Sequence, residues 1–279
     1  MMRGRKTSVT AVRRPNGEIA LATKPLSPIF TGRMRKTPLL RGIIVLIEAL
    51  VLGIQTLLYS ANMALEEEEE KVSGGMMWLI LAVSMAFAVA LFFLVPLFAA
   101  KLIYPYTRSP VIFNLIEGVI RLGLFIAYLK VISMLPDIKR VFAYHGAEHK
   151  AVNAYEHGVP LDVAAVRAFS TAHTRCGTSF LFVVMIIAIV VFTLVGLQSI
   201  WLMVLSRVVL IPVIAALGYE VVYFGARHVK NALIRAVLAP GLWLQALTTR
   251  EPDDSQLEVA LAALKKATED DQEVAQVSA

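Results

Sequence analysis

Four stretches of the chain stay apolar for longer than the roughly 20 residues a helix needs to cross a bilayer. They are "LLRGIIVLIEALVLGIQTLLYSA" (39–61), "MMWLILAVSMAFAVALFFLVPLFAAKLI" (76–103), "TSFLFVVMIIAIVVFTLVGLQSI" (178–200) and "WLMVLSRVVLIPVIAALGYEVVYFG" (201–225). A fifth, "VIFNLIEGVIRLGLFIAYLKVISML" (111–135), is long enough but carries Glu117, Arg121 and Lys130. It reads as a membrane-embedded helix that stops short of a full crossing or lies within the bundle; a complete crossing would raise the number of spans to five. Glu117 and Arg121 are four apart and can pair on one helix face.

The polar segments carry their own patterns. "TSVTAVRRPNGEIALATKPL" (7–26) alternates loosely on either side of a "PNG" turn, which predicts a β-hairpin. Asp137 behind Pro136 is a start signal, and Gly158 with Pro160 is a stop signal, so 138–157 is expected to be one helix. After the last apolar run, "RHVKNALIRAVLAPGLWLQAL" (227–247) mixes basic and apolar residues at helical spacing. It predicts an interfacial helix, interrupted at Pro240-Gly241, with Trp243 near the headgroups. "DDSQLEVALAALKK" (253–266) predicts a further amphipathic helix with Asp254 or Ser255 as its N-cap. The final dozen residues are polar and expected to fray.

These elements describe an all-α polytopic membrane protein with four to five transmembrane helices and a small N-terminal cytoplasmic β-hairpin. Its expected organisation is a basic arm with the hairpin (1–38), transmembrane helices with one polar embedded helix (39–135), a histidine-rich helix and loop (136–177), a transmembrane hairpin (178–226) and an amphipathic tail (227–279). Composition agrees: 57% of the 279 residues are hydrophobic and 17% charged, against roughly a quarter charged in soluble domains. The first apolar run begins too far from the amino terminus to be a cleaved signal peptide.

The net charge of +6 is first a statement about topology. Ten Lys/Arg precede Gly42, nine lie in 101–175 and six follow Phe224, while Lys71 alone lies between the first two apolar runs, beside the acidic run 66–70. Lys/Arg-rich segments stay in the cytoplasm. Both termini and 136–177 are therefore expected inside the bacterial cytoplasmic membrane, with the glutamate run outside. That bias already explains the basic arm, so nucleic acid is not an expected partner; the lipid bilayer is. Cys176 is the sole cysteine, which excludes an intramolecular disulfide.

Three of the five histidines fall in "YHGAEHKAVNAYEHG" (144–158). At 100° per residue, His145 and His149 stand one turn apart on a stripe that also holds Ile138, Val141, Val152 and Glu156, with Lys139, Lys150 and His157 on the opposite side. Two imidazoles at this spacing can grip one metal ion, and Glu148 beside them can orient or deprotonate a water. His145, Glu148 and His149 spell H-x-x-E-H, the inverted form of the zinc-peptidase helix motif. A third protein ligand is needed: His173 in "HTRC" (173–176) is the favourite, Cys176 is next, and Glu220 in "LGYE" is another candidate. Arg207 and Glu220 on one span, together with Glu48 and the Glu117–Arg121 pair, mark a polar interior among the helices.

The blocks "DIKRVFAYHGAEHKAVNAYEHG", "HTRCGTSFL", "GYE" and "PGLWLQALTTREPDDSQLEVALAALK" resemble the YqhQ-like bacterial family of membrane proteins. It is a family of unknown function whose members are often labelled predicted metal-dependent enzymes, a label resting on the same histidines. The resemblance runs from the first residues to about Lys266. Family members usually carry a short Gly-, Gln- and Glu-containing segment leading into "MMRG", so the resemblance implies a start upstream of Met1.

Two functions follow as expectations. One is a metal-dependent hydrolase that binds zinc or another divalent ion through His145, His149 and one of His173, Cys176 and Glu220, with Glu148 as the catalytic base. Its substrate is unknown, location alone suggesting a peptide or lipid-derived molecule. The other is a non-catalytic channel, transporter or homo-oligomeric scaffold in which the histidines regulate or stabilise.

Overall fold

The structure is a computed structural model and describes residues 1–64, 74–174, 176–196, 199–228 and 230–277. The glutamate run 66–70, with Lys71 and Ser73, lies outside the described residues, as does Arg175 of "HTRC". In chain order the elements are β1 (Met2–Arg3), β2 (Thr7–Arg13), β3 (Ile19–Pro25), α1 (Pro28–Thr31), α2 (Leu40–Ala64), α3 (Gly74–Val89), α4 (Val95–Thr107), α5 (Pro110–Ile132), α6 (Pro136–Glu156), α7 (Val163–Arg167), α8 (Gly177–Val195), α9 (Ile200–Arg227), α10 (Ala232–Gln245) and α11 (Asp254–Val277). A 3-10 turn (Arg33–Lys36) precedes α2, and a π-helical stretch (Ala90–Leu94) joins α3 to α4. Among the described residues, four helical segments are long and apolar enough to cross a membrane: Leu40–Met63, Trp78–Tyr106, Gly177–Val195 and Trp201–Arg227.

The chain divides into two compact units. The first comprises Met1–Lys71, Ser133–Thr174 and Gln245–Ala279. Its sheet is antiparallel in the order β1-β2-β3, and the hairpin turns where expected. The Gly17 N–H donates to the Arg14 carbonyl oxygen at 2.9 Å and the Arg14 N–H donates to that of Glu18 at 2.8 Å, with Gly17 in the left-handed region at φ 88° that a side chain would resist. Period-two alternation gives β2 two different faces. Val9 and Ala11 join an apolar core built with Ala147, Ala151 and Ala154 of α6, Val166 of α7 and Leu257, Leu261 and Leu264 of α11. Ser8 and Thr10 face α2, where Thr10 Oγ1 lies 3.4 Å from Thr56 Oγ1.

Helix α6 starts with Pro136 in its first turn and Asp137 beside it, and ends at Gly158, whose φ of 68° lets the chain reverse. Small residues (Ala143, Gly146, Ala147, Ala151 and Ala154) form its buried stripe. They let α11 approach closely. Lys150, expected on the outer side of this helix, is instead buried. Its Nζ donates to the Arg167 carbonyl oxygen at 2.7 Å and pairs with Glu251, because α7 and the segment before α11 cover that side too. The cap of α11 is Asp253, one residue earlier than expected. Its Oδ1 accepts from the Gln256 N–H at 2.9 Å while Gln256 Oε1 accepts from the Asp253 N–H at 3.0 Å, a reciprocal capping box. The polar end expected to fray continues as helix to Val277. A Lys266–Asp270 ion pair at 2.9 Å and a bond from the Arg5 N–H to Asp271 at 2.7 Å support it.

The second unit comprises Val72–Ile132 and Arg175–Leu244. Here α5 packs between α4 and α8, and α8 pairs with α9. α10 continues through Pro240 rather than breaking there, and Trp243 is exposed. The polar interior of this unit holds an ionic cluster. Glu117 takes Arg121 on one carboxylate oxygen and Arg207 of α9 on the other. Arg121 Nε also donates to the Phe92 carbonyl oxygen at 2.9 Å, in the π-helical stretch. Arg207 does not pair with Glu220, since thirteen residues along one helix separate them by about 20 Å.

Candidate functional site

The residues "HGAEH" are positioned by what Gly146 lacks. A Cβ at Gly146 would overlap the Arg250 carbonyl oxygen, so only glycine lets the 248–250 segment lie against α6 at this turn. The Arg250 N–H then donates to the Phe142 carbonyl oxygen at 2.9 Å, and the Arg250 guanidinium donates to that of Ser133 at 3.2 Å. This brings the Thr248 carbonyl oxygen 2.8 Å from His145 Nδ1. One turn up, the Thr171 carbonyl oxygen lies 2.6 Å from His149 Nδ1. A carbonyl oxygen only accepts, so each imidazole carries a proton on Nδ1, and in the neutral ring the lone pair is left on Nε2. The two rings stand 4.3 Å apart between centroids, and their nearest ligand-capable atoms lie within 4.8 Å. His149 is buried and His145 half-buried.

His173 joins them from the loop after α7. Its ring centroid is 5.7 Å from that of His149, and its Nε2 lies 3.5 Å from Glu156 Oε1. Its backbone is clamped by one side chain. The His173 N–H donates to Gln245 Oε1 at 2.8 Å, and Gln245 Nε2 donates back to the His173 carbonyl oxygen at 2.9 Å. Gln245 is fully buried. Its own carbonyl oxygen accepts from the hydroxyls of Thr248 and Thr249 at 3.1 and 3.0 Å. One turn thus fixes the backbone of His173 and the acceptor for His145 together. Gln245, Thr248 and Thr171 escaped the sequence reading. The one hint was an amide inside the apolar "LWLQAL".

Glu148 points elsewhere than the ring pair's carbonyl partners. It is part-exposed and, with Tyr144, His145, Asp137 and Arg140, lines a cleft of about 460 Å³ whose other walls include Val12, Leu57 and Val259. That volume suits a small-molecule ligand. The first unit therefore brings together His145, His149 and His173, with Glu148 on the cleft beside His145. The other two expected ligands belong to the second unit. Cys176, buried, caps α8 with its Sγ accepting from the Thr178 N–H at 3.4 Å, and Glu220 is half-buried on α9.

The chain belongs to the family described as "Protein of unknown function (DUF1385)", which matches residues 37–270. It is 39% identical over 281 residues to "Uncharacterized protein YqhQ" of Bacillus subtilis (strain 168), covering 95% of this chain and 88% of that protein. No solved structure matches it.

Proposed function

We propose that this chain is an integral protein of the bacterial cytoplasmic membrane, with both termini inside, that binds a divalent metal and acts as a metal-dependent hydrolase. The observation that carries the reading is the pair of carbonyl oxygens on His145 Nδ1 and His149 Nδ1. Metal-binding histidines characteristically donate their second ring N–H to such an acceptor, which fixes both tautomer and ring orientation. Nitrogen donors of this kind fit zinc well. His145, His149 and His173 would hold the ion. Cys176 and Glu220 are the alternatives to His173 as the third ligand. A bound divalent ion supplies Lewis acidity.

The chain's own contribution is a proton acceptor. Glu148 is a carboxylate on the cleft wall, one residue before His149 and three after His145, and in this reading it takes a proton from an attacking water. It needs no contact with the ion. The non-catalytic reading, a channel or scaffold with a structural metal, shares the histidines and differs at Glu148. Glu148→Gln keeps size and hydrogen-bonding shape and removes the base. The expected result is a folded, membrane-inserted protein with full metal content that fails to complement a strain deleted for the chain. Full complementation by Glu148→Gln with metal retained would sink the hydrolase and leave the structural metal.

A further inference from the structure

We infer that α2, although long and apolar enough to cross a membrane, lies along the lipid–water interface and does not cross. Its outer face is the surface that meets lipid. The starting point is the distribution of polar residues around the helix. Arg41, Glu48, Gln55, Thr56, Tyr59 and Asn62 all fall within about 120° of arc at 100° per residue. Leu40, Ile47 and Leu50 occupy the opposite side and are exposed, Leu50 at 55%. Helix α3, the first part of Trp78–Tyr106, is the contrasting case. Its exposed residues (Trp78, Leu79, Ile80, Val83, Met85 and Phe87) point all round the axis, as lipid on every side requires. A helix with one polar and one apolar face belongs at the interface.

What covers the polar face strengthens the case. Arg3 of β1 reaches Glu48 at 3.0 Å, Ser8, Thr10 and Lys24 of the sheet face Leu52, Gln55 and Tyr59, and Arg14 Nη2 lies 3.8 Å from Met63 Sδ. The sheet thus runs beside α2 from Glu48 to Met63, about 22 Å of its axis. Were α2 to cross, this open three-stranded sheet, with unpaired edges and exposed Arg14 and Lys24, would be carried to hydrocarbon depth. Lipid-exposed sheet edges do not occur there. Lying flat, α2 keeps the sheet in water and gives its leucines to lipid.

The rest of the topology then follows by parity. Residues 1–71, 133–174 and 245–279 fold as one unit and share one side of the membrane. The chain from Gly74 to Ile132 must cross an even number of times, so α3–α4 makes one crossing and α5 the other. The charges of α5 do not forbid this, because Glu117 and Arg121 are consumed with Arg207 inside the helices. α8 and α9 make the second pair. The inference is independent of the metal.

Single cysteines in a Cys176→Ser background test it, using a membrane-impermeant maleimide on intact cells and again after permeabilisation. Asn16→Cys marks the hairpin turn, Gly75→Cys the start of α3, and Arg108→Cys the α4–α5 connection. Gly75→Cys should react from the same side as Asn16→Cys, and Arg108→Cys from the opposite side. Asn62→Cys, near the end of α2, repeats the Gly75 reading should that variant fail to insert. Reaction of Gly75→Cys or Asn62→Cys from the side opposite Asn16→Cys overturns the inference, as does Arg108→Cys reacting from the same side as Asn16→Cys. If the assignment of the termini to the cytoplasm were wrong, all sites would exchange sides together, which leaves the relation among them intact.

Discussion

Two glutamates in this chain are each held by a pair of arginines, and the pairs are built in opposite ways. Glu48 on α2 is gripped by Arg3 and Arg35, which come from the sheet and the 3-10 turn and remain 28% and 26% exposed. Glu117 on α5 is 2% exposed and is gripped by Arg121 and Arg207, at 9% and 8%, both rooted in apolar helices. Arg121 also lies over the Phe93 ring and Arg207 over Phe192. The Glu48 arginines can turn to water when their partner is lost. The Glu117 arginines have nowhere to go. The same two residue types thus make a fastening with part-exposed arginines in one unit and a fully internal brace in the other.

The comparison breaks most visibly at Glu117. Glu117→Ala leaves two buried guanidiniums uncompensated, a loss on the order of 3–5 kcal/mol, read as a large fall in thermal unfolding temperature in detergent. Gly146→Ala comes next. The methyl group must displace the Arg250 carbonyl oxygen, and overpacking of this kind costs about 1–3 kcal/mol. Metal content should fall with it, because the same segment carries the carbonyl partner of His145. Glu48→Ala should cost about 1 kcal/mol, since exposed arginines recover solvation. A loss equal to that of Glu117→Ala would erase the contrast.

The smallest effect belongs to the α11 cap. The Ser255 hydroxyl, donating at 2.7 Å, and the Gln256 N–H hold the Asp253 carboxyl below the usual carboxylate range. A lowered folded value means the contribution is complete above the unfolded value, near about pH 4, and is lost as pH falls through the folded one. Asp253→Ala should therefore destabilise by about 1 kcal/mol at neutral pH. The wild-type and variant unfolding curves should converge in strong acid. A difference independent of pH would mean the carboxylate charge contributes nothing to the cap.

Much of the fold can be read locally. The long apolar runs, the "PNG" hairpin and the Pro136–Gly158 limits of the histidine helix depend on neighbours a few residues away, so pattern suffices. The His145–His149 spacing is legible for the same reason. The partners that give those residues meaning are remote. Gln245 holds His173 across 72 positions, Thr248 reaches His145 across 103, and Arg207 finds Glu117 across 90. Nothing in periodicity encodes such pairings. The burial of Lys150 is not legible locally, because a helical wheel assumes one covered face and α6 has two. The polar stripe of α2 was present in the letters but hidden by an apolar count that ignores direction.

Whether the histidine helix holds a metal is read from metal content. Wild-type protein and the Glu148→Gln, His145→Ala and His149→Ala variants would be purified gently in detergent without chelators and measured by mass spectrometry of bound elements, zinc first. One divalent ion per chain is expected in the wild type and in Glu148→Gln, and loss in both histidine variants, because two protein ligands rarely hold zinc. Wild-type protein without metal, or histidine variants that keep it, would contradict the account.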